Sequence, residues 1–525
     1  MKCLNLFVCR RNGRGRLLNV ARDEVLRCRT NAPFRGERER RIGAAGGGPG
    51  RNPSRAFRKA ALLLCLVLVA GGAGGAELSG PQAIPRVRLP DYKTIKLDNG
   101  LRLMVMERHG LPLVSFHWLM KSGGSLGDAP GQEGLASLTA ELLRKGTQTR
   151  SADQISEALD FVGAQFDAGA SLEYASGSAE FVRKDLELAV DLVSDTLLHP
   201  SFPRDEVDKM IKQDIDGIKE AKAIPQRVIG SYYEGFLYQP HPYGRPVSGT
   251  ETSLSKIRRE DIASFHASHY VPNELILAVA GDFSTPELEA RLRDKFAAWK
   301  PGTAAQPELK EPPRFEGRRA LMVDKPDATQ TFFQFGNLGL ARTNQDWVAV
   351  QVVNTLFGGR FTSMINSELR IKSGLTYGAN SRFGARQLPG PFVISSFTPN
   401  ESSGRALDLA LEVLQALHEK GLTAEQLQSA KTYIEGQFGP SLQTTDQLAQ
   451  TLCELEFYGL GRQYIDTLFD RVDAVTLADA RRVIAAYFPL KDLAFVFLGR
   501  AAVIEPVARK LASDLQRKTI TAAGF

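Results

Sequence analysis

The chain has 525 residues, of which 43% are hydrophobic and 24% are charged, so it is long enough for two or three globular domains with sizeable cores. Its formal net charge of +7 is concentrated in residues 1–59, which hold sixteen Lys or Arg and four Asp or Glu. That stretch contributes +12 and the rest of the chain carries −5, which excludes an extended basic surface for nucleic acid.

An export signal is predicted near the start of the chain. Arg58 and Lys59 precede the apolar run AALLLCLVLVA (60–70) and a stretch of small residues, an order typical of secretory signal peptides. Eleven apolar residues are too few to span a bilayer. We predict a disordered basic lead or a mis-called start over 1–54, a signal peptide over 55–76, and a secreted, periplasmic chain with no membrane span after signal removal.

Cysteine usage adds nothing to the export prediction. Four of the five cysteines lie before residue 77, and only Cys453 would remain after signal removal. A single cysteine forms no internal disulfide, so the predicted location rests on the signal peptide alone.

The rest of the chain contains one unit twice. LELAVDLV (186–193) matches LDLALEVL (407–414) at an offset of 221, and REDIASFHASHYVPNELILAVAGDF (259–283) matches LADARRVIAAYFPLKDLAFVFLGR (477–500) at an offset near 218. Separated matches at nearly one spacing indicate an internal duplication.

A linker is predicted between the two units. The stretch KPGTAAQPELKEPPRFEG (300–317) is rich in Pro, Gly and charged residues, as interdomain linkers are. It separates a first domain over 77–299 from a second domain over 318–525.

Local patterns within each unit mix helices and strands. YGANSRF (377–383) and FVISSF (392–397) flank a Pro-Gly turn and predict a hairpin. Residues 151–162 and 423–437 carry apolar side chains at three- and four-residue spacing, which predicts amphipathic helices. Elements that occur in clusters, without strict alternation, favour an α+β fold with mainly antiparallel sheets.

The stretch GLASLTAELLRKGT (134–147) predicts a core helix. Leu135, Leu138, Leu142 and Leu143 lie on one helical face. The stretch also resembles the zinc-binding helix of the pitrilysin/insulinase family of metallopeptidases, which runs Gly-Leu-Ala-His-x-x-Glu-His and ends Lys-Gly-Thr. In that inverted motif two His bind zinc and the Glu is the general base.

The resemblance implies that the zinc ligands have been replaced. Ser137 and Glu141 occupy the two His positions and Ala140 the position of the base, while the family's third ligand, a later Glu, aligns with Gly217. We therefore expect no zinc in this chain. One alternative is a self-sufficient peptidase with unusual ligands, Glu141 with Asp216 and Glu220.

A second segment keeps the family pattern. GGRFTSMINSELRIKSGLTYGANSRF (358–383) resembles the segment of the family's second half in which an Arg and a Tyr reach across to the zinc site. These are Arg370 and Tyr377, to which the resemblance assigns substrate binding and oxyanion stabilisation. Gly358 and Gly359 belong either to a helix-entry turn, which we prefer, or to a substrate loop.

Together these features resemble the noncatalytic, zinc-less subunit of the family's heterodimeric branch, related to mitochondrial processing peptidase. The resemblance implies two homologous α+β domains that form one clam-like half of a dimer, a zinc-bearing homologous partner, and unfolded or short peptides as substrates. The rival hypothesis is a scaffold or peptide-binding protein with no role in catalysis.

Overall fold

Two six-stranded sheets organise the chain in a computed structural model that describes residues 86–304 and 309–525. The predicted lead (1–54) and signal peptide (55–76) lie outside the described residues. The first sheet contains β1 (Lys93–Lys96), β2 (Arg102–Glu107), β3 (Leu113–Met120), β4 (Gln165–Ala170), β5 (Ala175–Val182) and β6 (Leu275–Gly281). The second contains β7 (Arg319–Asp324), β8 (Gln330–Leu338), β9 (Ala379–Phe383), β10 (Pro391–Pro399), β11 (Ala494–Gly499) and β12 (Asp514–Thr519).

Helices connect and cover the strands of both sheets. The first half contains α1 (Leu135–Leu142), α2 (Ala152–Val162), α3 (Leu186–Leu198), α4 (Arg204–Ala223), α5 (Pro225–Tyr238), α6 (Glu251–Leu254), α7 (Arg259–His269) and α8 (Thr285–Phe296). The second contains α9 (Trp347–Asn354), α10 (Met364–Asn366), α11 (Ser403–Lys420), α12 (Ala424–Phe438), α13 (Thr445–Phe457), α14 (Gln463–Asp466), α15 (Leu468–Ala474), α16 (Leu477–Tyr487) and α17 (Ala501–Leu511).

The two sheets repeat one topology. The first has the strand order β1-β2-β6-β3-β5-β4 and the second β12-β7-β11-β8-β10-β9, so five strands correspond one to one. In each sheet, the strand that comes first in the sequence among these five pairs in parallel with the strand that comes last, β2 with β6 and β7 with β11. The other pairs among the five are antiparallel. The predicted fold class, α+β with two homologous domains and mainly antiparallel sheets, is confirmed.

Local predictions also agree with the structure. β9 and β10 form the predicted antiparallel hairpin, with Phe383 opposite Phe392. The predicted amphipathic helices are α2 and α12, and each begins after a hydroxyl residue, Ser151 or Thr423, whose side chain accepts the N–H of the residue three positions later. Such capping boxes satisfy backbone donors that the first helical turn leaves free.

Each sheet is covered on one face by a helix from the other half. Helix α5 lies on β8 and β11 of the second sheet, and helix α13 lies on β3 and β6 of the first. Helices of the same half cover the opposite faces. The central strands β6 and β11 are therefore buried at every residue, which explains why their sequences are continuous apolar runs without alternation.

The segment between the sheets is packed against the molecule along its described part. Residues 300–304 and 309–317 contain no helix or strand. The backbone oxygen of Lys310 lies 2.8 Å from Nε2 of His241, and the ring of Phe315 lies 3.9 Å below the guanidinium of Arg319. The segment thus bridges the two halves through specific contacts.

Among the described residues, no helix combines the length and the apolar composition that crossing a membrane would require.

Candidate functional site

Helix α1 contains the positions that align with the two His and the Glu of the zinc-binding motif. It begins after Gly134, whose φ of 98° lies in the left-handed region. Asp128 holds the first turn by accepting hydrogen bonds from the N–H groups of Gly134 (2.9 Å) and Ala136 (2.8 Å). Ala140, at the position of the general base, is fully buried in the core of the first domain. This position therefore faces the core and offers no group to a ligand.

Ser137 and Glu141 lie one turn apart on the less buried face of the same helix. Ser137 Oγ donates a 2.9 Å hydrogen bond to Glu141 Oε1. Burial raises the pKa of Glu141 above its usual value, and the hydrogen bond from Ser137 opposes that shift. A hydroxyl and a carboxyl group thus bind each other where the zinc peptidases place two imidazoles.

Helix α4 places two further residues opposite this face. Asp214 and Gly217 line a cavity of about 300 Å³ together with Ser137 and Glu141. Burial, reinforced by the charge of Glu141, raises the pKa of Asp214 to about 7. Two partly desolvated carboxyl groups in one cavity favour the protonated form. A bound proton therefore offsets the repulsion between the two carboxylates that a bound cation would otherwise offset.

These residues do not fit a catalytic zinc ion. Such a site requires three protein ligands, usually including His, and a bound water. Over the described parts of the chain, no three His, Cys, Asp or Glu side chains are grouped so that they could hold a metal ion. At the cavity itself the only side-chain carboxyl groups among the described residues are those of Glu141 and Asp214, the other oxygen-bearing side chains are a neutral amide and three hydroxyls, and Arg227 adds a positive charge.

The alternative ligand set of Glu141, Asp216 and Glu220 is wrong. Asp216 is exposed and pairs with Lys219 at 3.3 Å, and Glu220 is also exposed. Neither residue lines the cavity. Asp216 is rotated by about 100° from Gly217 around α4, and Glu220, three residues after Gly217, lies exposed outside the cavity. Asp214, three residues before Gly217, is the acidic residue that reaches the cavity.

Gly217 leaves open space at the third ligand position. A Cβ atom built on it would have no heavy atom within 4 Å outside its own helix turn. The backbone of α4 therefore has room for a side chain at this position, and the absence of a ligand there is a property of the residue alone.

Arg370 lies on a π-helical turn (Ser367–Lys372) in the second half. Its guanidinium carbon is 4.7 Å from the ring centroid of Phe361, which is itself exposed. Within the described residues the guanidinium makes no hydrogen bond or ion pair. Its five donors are therefore available to an external acceptor.

Tyr377 has the most exposed large side chain in the same segment, with 79% of its surface accessible. The backbone around it is held by Thr376, whose buried hydroxyl accepts the N–H of Gly378 (3.1 Å) and donates to the carbonyl of Gly378 (3.0 Å). The phenol oxygen has no partner in the described part of the chain. A fixed backbone thus exposes the aromatic ring of Tyr377 to solvent, and the phenol hydroxyl makes no intramolecular hydrogen bond.

Gly358 and Gly359 end a π-helical turn (Thr355–Gly359) that packs against β9. A Cβ on Gly358 would lie 2.2 Å from Ser381 Oγ and 2.5 Å from Ser381 N, so only Gly fits. Asn354 completes this contact by accepting a 2.6 Å hydrogen bond from Ser381 Oγ. The close packing favours the turn role for Gly358 over contact with substrate.

The structure thus brings some of the predicted residues together and separates others. Ser137, Glu141 and Gly217 line one cavity in the first half, whereas Arg370 and Tyr377 lie on the second half and do not line it. Sequence reasoning did not assign Asp214 to this cavity, although its spacing from Gly217 was a usable signal. It also missed Phe525, which lines the same cavity and had no local signal.

The cavity lies beside a free sheet edge. Helix α1 packs against β4, the last strand in the order of the first sheet, and no other strand of the described chain pairs with its outer edge. An open edge exposes backbone donors and acceptors that an extended peptide can pair with.

Two family models match the chain. The one described as Insulinase (Peptidase family M16) matches residues 112–251, and the one described as Peptidase M16 inactive domain matches residues 256–434. The first match contains α1 and the altered zinc positions, and the second contains Arg370 and Tyr377.

Individual relatives extend the match over most of the chain. This chain is 30% identical over 356 residues to an uncharacterized zinc protease of Mycobacterium leprae, and the aligned region covers 67% of this chain and 80% of that protein. It is 24% identical over 397 residues to a protein of Helicobacter pylori described as a non-peptidase homolog, which covers 75% of this chain and 90% of that protein.

A solved structure shares the fold at similar coverage. The crystal structure of a peptidase M16 inactive domain from Pseudomonas fluorescens matches with a TM-score of 0.73 and 26% identity, over 78% of this chain and 98% of that one. From these matches, and from the duplicated sheets that carry the altered motif, we conclude that the chain belongs to the insulinase family, peptidase family M16.

Proposed function

We propose that this chain is an exported, noncatalytic subunit of a zinc metallopeptidase. It pairs with a zinc-bearing homologue and supplies Arg370 and Tyr377 to a composite site that cleaves unfolded peptides. Export is supported by the signal-like run at 60–70. The observation that carries the proposal is the contrast between a first-half site whose residues do not fit a catalytic zinc ion and a second-half pair of side chains that make no hydrogen bond or ion pair within the described residues.

The unengaged state of Arg370 and Tyr377 supports their role in trans. An arginine whose five donors are unused can bind a substrate carbonyl in a bidentate arrangement. A phenol can donate to the oxyanion that forms when water attacks the peptide bond. Neither side chain stabilises this chain by a hydrogen bond within the described residues, so selection for folding alone gives no reason for their exposure.

The free edge of β4 supports an extended peptide as substrate. Peptides that add a strand to a sheet edge gain main-chain hydrogen bonds independently of their side chains. Such binding requires an unfolded segment, since a folded protein has no free strand to offer. A closed chamber formed with the partner would further exclude folded proteins by size.

The test is reconstitution with a homologue that retains His-x-x-Glu-His, sought first in the neighbouring reading frame. We expect the mixture to cleave a quenched-fluorescence peptide, and this chain alone to be inactive and free of stoichiometric zinc. Arg370→Ala or Tyr377→Phe should lower kcat of the mixture by about 10²–10³-fold, the range for a lost oxyanion donor.

Matched controls are available on the same half. Arg509 is exposed and pairs with Glu505 on the surface helix α17, and Tyr433 is 40% exposed on α12. Arg509→Ala and Tyr433→Phe should leave kcat within twofold of the unaltered mixture. If Arg370→Ala and Tyr377→Phe behave like these controls, the role in trans is wrong. Zinc-dependent cleavage by the isolated chain would also contradict it.

A scaffold or peptide-binding protein without a role in catalysis remains the second candidate, and the altered first-half site favours it. It predicts that the chain binds the homologue or a peptide while kcat is the same with and without Arg370 and Tyr377. The same reconstitution therefore separates the two candidates.

A further inference from the structure

Residues 521–525, which we call the tail segment, leave the second sheet and contact the first half. They follow strand β12 and the buried Ile520. A backbone hydrogen bond from Ala522 N to Thr519 O (3.1 Å) turns the chain away from the sheet. The segment then lies against helices α4, α5 and α6, beside the cavity that contains Ser137 and Glu141.

A buried lysine and a partly buried glutamate of the first half hold the backbone of the tail segment. Lys222 Nζ donates to Ala522 O at 2.7 Å and to Glu251 Oε1 at 2.6 Å. Glu251 Oε2 accepts the N–H of Gly524 at 2.9 Å. The side chain of Lys222 is only 8% exposed, so this ion pair is largely desolvated and its geometry is fixed. Both contacts involve main-chain atoms of the tail segment and do not depend on its side chains.

The ring of Phe525 fills a half-buried position at the cavity wall. It packs edge-on against Tyr232 with ring centroids 5.5 Å apart, and Lys222 Nζ lies 5.6 Å from its centroid. Lys518 donates to the backbone oxygen of Phe525. Edge-to-face aromatic contacts and a cation near the ring both stabilise a bound ring beyond the effect of its burial. An aromatic side chain is therefore the specific part of the contact.

A buried polar group lies beside the aromatic position. Tyr232 is 1% exposed, and its hydroxyl has no hydrogen-bond partner in the described residues. The tail segment thus occupies the backbone-binding pair and the aromatic position without forming a hydrogen bond to the Tyr232 hydroxyl.

We propose that this surface is a peptide-binding site for small-small-aromatic sequences, which the tail segment occupies in competition with external peptides. The Lys222–Glu251 pair binds the main chain of the peptide, and the ring of Tyr232 packs against the aromatic side chain of the peptide. The site is independent of any partner subunit and uses neither Arg370 nor Tyr377, so it does not depend on the proposed function.

Tethering sets the strength of the competition. A segment joined by a few residues has an effective concentration in the millimolar range. For a free peptide with a Kd on the order of 0.1 mM, an equally tight tethered competitor at about 1 mM weakens binding roughly tenfold. The intact chain should therefore bind peptide poorly, and removal of the tail segment should reveal the site.

The probe is the peptide Thr-Ala-Ala-Gly-Phe, labelled with fluorescein at its amino end and amidated at its carboxyl end. Fluorescence polarisation is measured against the intact chain and against a chain that ends at Ile520. We expect the shortened chain to bind the probe at least tenfold more tightly. The control peptide Thr-Ala-Ala-Gly-Ala should lose that gain, because it lacks the ring that packs on Tyr232.

A variant that keeps all 525 residues tests the proposal even if the shortened chain misfolds. Phe525→Ala vacates the aromatic position without removing the backbone, and it should also bind the probe more tightly than the intact chain. Ala523→Ser alters an exposed residue of the tail segment and should bind like the intact chain. If Phe525→Ala melts like the intact chain and binds the probe no better, the proposal is overturned, whatever the shortened chain does.

Discussion

Asp214→Asn tests whether burial raises the pKa of the Asp214 carboxyl group in the first-half cavity. Asn has nearly the same shape as Asp and never ionises. The Asp214 side chain is half-buried, and burial together with Glu141 raises its pKa to about 7. The unfolded chain has a pKa near 3.9 at this residue. The folded protein therefore binds the proton more tightly than the unfolded chain does.

The sign of the effect follows from that difference. A raised folded pKa contributes stability that is fully present below about pH 4 and is lost as the pH rises through 7. A shift of about three units corresponds to ~4 kcal/mol for a fully buried group. Because Asp214 is partly exposed, solvent screening reduces this to roughly 1–2 kcal/mol. Asp214→Asn escapes the loss, so it should be more stable than the unaltered chain at pH 8 by about that amount.

The assay is urea unfolding followed by circular dichroism at pH 4, 5.5, 7 and 8. Asp216→Asn is the matched control, since Asp216 is exposed on the same helix and paired with Lys219. The control should differ from the unaltered chain by less than about 0.5 kcal/mol throughout. The reasoning fails if Asp214→Asn is destabilising at pH 8, or if its effect is the same at every pH.

Two further predictions concern packing and reactivity. Gly358→Ala should destabilise the chain by about 1–3 kcal/mol in thermal or urea unfolding, because its Cβ would overlap Ser381. Gly217→Ala, in open space within α4, should stabilise it by about 0.5–1 kcal/mol, and the reverse order would refute the packing argument. Cys453 is fully buried beneath the first sheet and burial raises the pKa of its thiol. In a variant whose other four cysteines are replaced by Ser, Ellman's reagent should therefore react only after unfolding, and rapid reaction of that variant in its native state would contradict this.

Local features of the fold were predictable because their signals are local. The hairpin of β9 and β10 follows from a Pro-Gly turn between apolar runs, and the starts of α2 and α12 follow from capping residues three positions before their partners. The repeated unit was also visible, since duplicated sequences retain the order of their elements. The hairpin and the helix starts each depend on residues that are close together in the chain, whereas the repeat is recognised by comparing two distant stretches of sequence.

The first-half site was predictable in part. The positions of Ser137, Glu141 and Gly217 could be inferred from the altered motif, and the structure places all three around one cavity. The choice among neighbouring acidic residues required helix geometry. Asp214 shares a face with Gly217 at a spacing of three residues, whereas Asp216 is rotated away by about 100° from Gly217. A helical projection of α4 would have identified Asp214.

By itself the sequence determined the duplicated α+β architecture, the loss of the zinc ligands and the retention of Arg370 and Tyr377. The tertiary structure decided which surfaces meet. Helices α5 and α13 each cover the sheet of the other half, and Lys222 binds Ala522, 300 residues later in the chain. Contacts of this kind depend on how two complete halves pack, and no short stretch of sequence records the packing of surfaces that only the folded chain creates.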